Sequence, residues 1–125
     1  MKCPETKGGM TVTIPGRLPS LNETLRMHWA KRAKIKQNMK WSLIFSCHGT
    51  IPDGKRERLC HLVITVYHPT RRFDEDNLHG ACKPVIDCLK EMGFIYRDSP
   101  RWLVLDIRQA IDHENPRIEI EIEEI

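Results

Sequence analysis

The stretch Leu59-Cys60-His61-Leu62-Val63-Ile64-Thr65-Val66-Tyr67-His68, followed by Pro69 to Phe73, by Asp74-Glu75-Asp76-Asn77-Leu78 and by the run to Gly93, decides the architecture. Its first ten residues alternate Leu59, His61, Val63, Thr65 and Tyr67 against Cys60, Leu62, Ile64, Val66 and His68. Both faces are largely apolar, which predicts a strand in the middle of a sheet. After the polar loop the period changes. Leu78, Cys82, Val85, Leu89 and Met92 form a stripe at helical spacing that ends at Gly93, a residue suited to the left-handed turn that closes a helix. Pro84 interrupts this pattern. It cannot donate to the carbonyl of Gly80 and disfavours helical angles at Lys83, so the helix either kinks there or starts at Pro84.

On the N-terminal side, Met10-Thr-Val-Thr-Ile14 alternates as a strand and stops at Pro15-Gly16. From Thr24 to Phe45 there is neither Gly nor Pro, and Leu25, His28, Trp29, Arg32, Ile35, Met39 and Leu43 recur near helical spacing. One long helix is expected, with Lys31, Lys34, Lys36 and Lys40 on its outer face. Gly49 to Gly54 reads as a turn-rich loop. On the C-terminal side, Trp102 to Ile111 and Arg117 to Ile125 read as a closing antiparallel pair around Asp112 to Pro116. The order β-α-β-α-β-β predicts an α+β two-layer sandwich, with a mixed sheet and two main helices.

A chain of 125 residues is one domain, 1–125, because two cores of half this size would each be marginal. Hydrophobic residues make up 40% and charged residues 30%, a globular balance that excludes disordered and fibrous classes. No apolar run approaches the roughly 18 residues that span a bilayer, and the start Met1-Lys2-Cys3-Pro4 lacks an apolar signal segment. A cytoplasmic protein with no membrane partner is expected. Cys3, Cys47, Cys60, Cys82 and Cys88 are odd in number and irregularly spaced, so reduced, packed thiols are expected rather than a disulfide framework. The net charge of +3 conceals segregation. Residues 1–73 hold 14 Lys/Arg against 4 Asp/Glu, whereas residues 74–125 hold 6 against 13. That pattern suits a protein that grips a polyanion with one surface and holds a cation with another.

Asp74 and Asp76 stand two residues apart where the loop meets the helix. Carboxylates at alternate positions of an extended segment share a face and can hold a hard cation such as Mg²⁺, with Mn²⁺ as a substitute. The alternative is a solvated loop in which an acid caps the helix. Asp98 adds a third carboxylate after the helix. In a continuous helix Asp76, Gly80, Lys83 and Asp87 would lie within about 40° of one line. Carboxylates that place Mg²⁺, with an ammonium near the phosphate, are the requirements of phosphodiester hydrolysis. The alternative for Lys83, Asp87 and Lys90 is a set of surface ion pairs.

The phrases Asp74-Glu75-Asp76-Asn77-Leu78, Lys83-Pro84-Val85-Ile86-Asp87-Cys88-Leu89, Gly93-Phe94-Ile95 and Asp98-Ser99 resemble the signature of the RusA family of Holliday-junction resolvases, common in phage and prophage genomes. Ile14-Pro15 and Leu18-Pro19-Ser20-Leu21-Asn22 resemble that family's opening strand and turn, so the similarity spans nearly the whole chain. The resemblance implies a Mg²⁺-dependent endonuclease, active as a homodimer, that resolves four-way DNA junctions by symmetric cuts in recombination and repair. It implies that Asp74, Asp76 and Asp98 are the metal-site aspartates, that Lys83 is the catalytic lysine, and that Asp87 and Asn77 support them. No nucleotide cofactor is implied. Two departures stand out. Lys83 follows Asp76 by seven positions where the best-known members use four, and Arg97 occupies a position where a paired acid is common. A branched-DNA-binding protein with a weakened site is the alternative these departures suggest.

Lys31, Lys34, Lys36, Lys40, Arg71 and Arg72 are the expected phosphate contacts on the DNA. Trp29 and Trp41 could stack on unpaired bases, but aromatic residues at helical spacing read first as core. Zinc ligation by His79, Cys82 and Cys88, or by Cys47-His48 with Cys60-His61, is disfavoured because no Cys-x-x-Cys pair is present.

Overall fold

The computed structural model describes residues 10–46 and 57–125. Its strands are β1 (Met10–Pro15), β2 (Cys60–His68), β3 (Leu103–Ile111) and β4 (Arg117–Glu124), and its helices α1 (Leu21–Arg26), α2 (Trp29–Ser46) and α3 (Glu75–Glu91). The expected turn at 49–54, together with Cys3, Cys47 and His48, lies outside the described residues. The fold is α+β, with a four-stranded mixed sheet in the order β1-β4-β2-β3 and one layer of helices. Among the described residues no helix is long and apolar enough to cross a membrane.

The most apolar strand takes the most protected place. β2 has β4 on one side and β3 on the other, and Leu62, Ile64 and Val66 are fully buried. They face the helix layer with Val12 and Ile14 of β1 and with Ile118, Ile120 and Ile122 of β4. Leu78, Cys82, Val85, Ile86 and Leu89 of α3 close the core from above. Each fully buried Leu, Ile or Val contributes about 1.5–3 kcal/mol through removal of apolar surface from water. The alternate residues of β4, Glu119, Glu121 and Glu123, point to the open face of the sheet beside Thr11 and Thr13.

Two expectations about pairing and helix length are corrected. β3 and β4 do not pair with each other: β3 runs parallel to β2, and β4 runs antiparallel to it on the opposite side. The short link between them crosses the end of β2, where Asp112 N–H donates to the His68 carbonyl and the Arg117 guanidinium lies 3.8 Å from the Tyr67 ring centre. A strand apolar on both faces gains more from two neighbours than β3 and β4 would from a hairpin. The expected helix from Thr24 to Phe45 is instead two helices. α1 has a capping box, with Ser20 Oγ accepting from Glu23 N–H and Ser20 N–H donating to the Glu23 carboxylate. Met27 then turns extended, and His28 starts α2 by accepting from Ala30 N–H through Nδ1. An imidazole thus performs at residue 28 the capping that a Ser or Asp usually provides.

α3 is continuous through Pro84, which settles the two alternatives in favour of one helix. It ends as its sequence suggests. Gly93 adopts φ 86°, Gly93 N–H donates to the Lys90 carbonyl and Phe94 N–H to the Leu89 carbonyl, with both Phe94 and Leu89 buried.

Candidate functional site

Asp74 is the N-cap of α3. Its Oδ1 accepts from Asn77 N–H at 2.9 Å and its Oδ2 from the Asn77 side-chain amide at 3.3 Å. The capping reading and the metal reading therefore fall on the same carboxylate, since each oxygen keeps a free lone pair. Asp76 lies in the first turn, is exposed, and makes no hydrogen bond or ion pair among the described residues. With Leu21, Asn22, Glu75 and Asn77 the two aspartates line an open cleft of about 460 Å³. The positive end of the α3 dipole points into it, which favours anionic oxygens there.

Lys83 and Asp98 are not among the residues that line this cleft. Lys83 Nζ donates to Asp87 Oδ1 at 3.0 Å and lies 3.5 Å from Asp98, while Lys90 approaches Asp98 from the other side at 3.8 Å. The Asp87 carboxylate, and to a lesser degree Asp98, raise the Lys83 pKa, so its ammonium keeps its proton. The expected stripe along α3 is present, but α1 lies across it. A Cβ on Gly80 would sit 2.6 Å from Leu21 Cδ2, so only glycine admits this contact. Among the described residues no three His, Cys, Asp or Glu side chains converge closely enough to hold a metal ion. A cation at α3 would rest on Asp74 and Asp76 and complete its shell with water and substrate oxygens. Mg²⁺ accepts that arrangement, since it keeps several waters and commonly takes one or two carboxylates.

The expected DNA contacts divide. Lys31 and Lys34 are exposed and, with Arg71 and Arg72 on the loop before α3, carry no partner among the described residues. Lys36 and Lys40 are engaged: both pair with Glu91 of α3, at 2.7 Å and 2.8 Å. Their hydrogen bonds hold the Glu91 carboxyl down at about 2. Trp29 and Trp41 correct the expectation of core packing, being 70% and 51% exposed. Among the described residues, α2 buries Met39 and Leu43 and packs Ile35 partly against the core. Cys60, Cys82 and Cys88 are buried free thiols, and burial pushes Cys82 up to about 12 and raises Cys88, so those two remain neutral. His79 is exposed.

The sequence reading missed His68 and Gln109. His68 is 2% exposed, its ring lies 4.3 Å from the Phe73 ring, and its Nε2 lies 2.9 Å from Gln109 Oε1. Gln109 also spans the backbone of Phe73, accepting from its N–H and donating to its carbonyl, both at 3.0 Å. The available signal was His68 itself, a polar residue on the strand face otherwise made of Cys60, Leu62, Ile64 and Val66. No protein-family model and no curated protein matches this chain.

Proposed function

We propose that this chain is a Mg²⁺-dependent endodeoxyribonuclease that resolves four-way DNA junctions as a homodimer in the cytoplasm. The observation that carries the reading is the pair Asp74 and Asp76 in an open cleft at the start of α3, within a sequence that resembles the RusA signature. Asp74 and Asp76 would hold the cation, which when bound neutralises nonbridging phosphate oxygens and lowers the pKa of a water. Asn77 fixes the Asp74 carboxylate by two hydrogen bonds. Asp87 and Asp98 hold the Lys83 ammonium, a positive charge available to a phosphate that accumulates negative charge. Lys31, Lys34, Arg71 and Arg72 supply unpaired cations for the DNA backbone. Symmetric cutting needs two sites related by a two-fold axis, hence a dimer.

A second reading has its own observation. Asp98 lies beside the Lys83 and Lys90 ammonium groups, an arrangement that also suits a protein that binds branched DNA without cutting it. Incubation with a labelled four-way junction and a matching duplex, with and without Mg²⁺, separates the two. Product that requires both the junction and Mg²⁺ supports the nuclease. Salt-sensitive binding with intact strands supports the binding protein.

A further inference from the structure

We infer that Gln109 is a positioning residue for Asp74: its side-chain amide clamps the backbone of Phe73 and thereby fixes where the α3 cap presents its carboxylate. Residues 69–74 join β2 to α3 without regular structure. Phe73 is the residue before the cap, and both of its backbone polar groups are held by one side chain from β3, 36 positions later. The Phe73 N–H needs an oxygen and the Phe73 carbonyl needs an N–H, so the orientation of the Gln109 amide is determined. The oxygen facing His68 is then an acceptor, and His68 Nε2 must carry the proton. Desolvation lowers the His68 pKa, consistent with a neutral ring that donates. The Phe73 ring completes the assembly by packing on His68. An imidazole, an amide and a phenyl ring thus anchor the last loop residue before the cleft, while the loop keeps Arg71 and Arg72 exposed.

The inference rests on the reading of Asp74 as a cation ligand, so its test uses two measurements. The first is hydrogen exchange at the Asn77 amide, which Asp74 caps. Gln109→Leu removes the clamp, and Gln109→Glu keeps the acceptor but loses the donor to the Phe73 carbonyl. Asn77 exchange should accelerate about fivefold or more in Gln109→Leu, relative to core amides of β2, as expected for loss of a cap. Gln109→Glu, which preserves volume, should show the same direction if Gln109→Leu does not fold. The second is the Mg²⁺ concentration for half-maximal junction cleavage, which should rise about tenfold or more, as for loss of a group that orients a ligand. A variant that is merely less stable loses active protein without this shift. Unchanged Asn77 exchange in both variants overturns the clamp. Accelerated exchange with an unchanged Mg²⁺ requirement overturns its role at the cation site. If wild-type protein neither binds Mg²⁺ nor cleaves, the nuclease reading fails, and the Asn77 measurement alone decides the clamp.

Discussion

Asp76 and Asp74 differ in what they already do. Asp74 caps a helix, so Asp74→Ala should cost about 1 kcal/mol of stability in addition to any loss of chemistry. Asp76 has no partner among the described residues, and Asp76→Asn should leave stability within about 0.5 kcal/mol of wild type in a urea titration. Junction cleavage by Asp76→Asn should nevertheless fall at least about 100-fold, equivalent to roughly 2.7 kcal/mol of transition-state stabilisation. Glu91 provides a pH prediction. Its folded value of about 2 lies below the ordinary 4.5, so its pairs with Lys36 and Lys40 stabilise fully above 4.5 and are lost as pH falls towards 2. Glu91→Gln should remove that part of the acid dependence, read by melting temperature between pH 5 and pH 2, with a small effect at pH 7 because the pair is exposed. Asp74, its role as the α3 cap and its neighbour Asp76 were legible because a cap and the first helical turn are set by residues close in sequence. Gln109 was not, because its partners are set by strand register.

α3 carries two local rules in conflict with tertiary structure. Gly80 in mid-helix normally costs about 1 kcal/mol relative to Ala, so Gly80→Ala on propensity alone should stabilise. The contact with Leu21 reverses the sign, since an added Cβ meets Leu21 Cδ2 at 2.6 Å and Cγ at 2.9 Å. Gly80→Ala should therefore destabilise, and Leu21→Ala in the same chain should relieve part of the loss, a non-additivity readable in a double-mutant cycle. Pro84 breaks the local rule for a helix interior, yet α3 continues through it because burial of Val85, Ile86 and Leu89 outweighs the missing hydrogen bond. The break at Met27 has neither Gly nor Pro to mark it in the sequence. The Ser20-x-x-Glu23 capping box and His28 were the signals that α1 and α2 are separate.

At the scale of the molecule, the sandwich and the central place of β2 followed from hydrophobic pattern, whereas strand order did not. A five-residue link between two strands reads as a hairpin, and only the competition for β2 places β3 and β4 on opposite sides of it. The charge segregation along the chain survives folding in part. Glu119, Glu121 and Glu123 line the open sheet face, while the unpaired Lys31 and Lys34 lie on a helix of the opposite layer. DNA should approach the helix layer, and Lys31→Glu with Lys34→Glu should weaken junction binding and flatten its salt dependence, whereas Glu121→Gln should not. Sedimentation at micromolar concentration should show a dimer. The central claim is tested most directly by mapping cuts on a four-way junction labelled on each strand, with wild type and Asp76→Asn in Mg²⁺. The account predicts paired nicks at symmetric positions on opposing strands, absent without Mg²⁺ and absent in Asp76→Asn. Junction bound tightly by both proteins and left intact across Mg²⁺ and Mn²⁺ would contradict it.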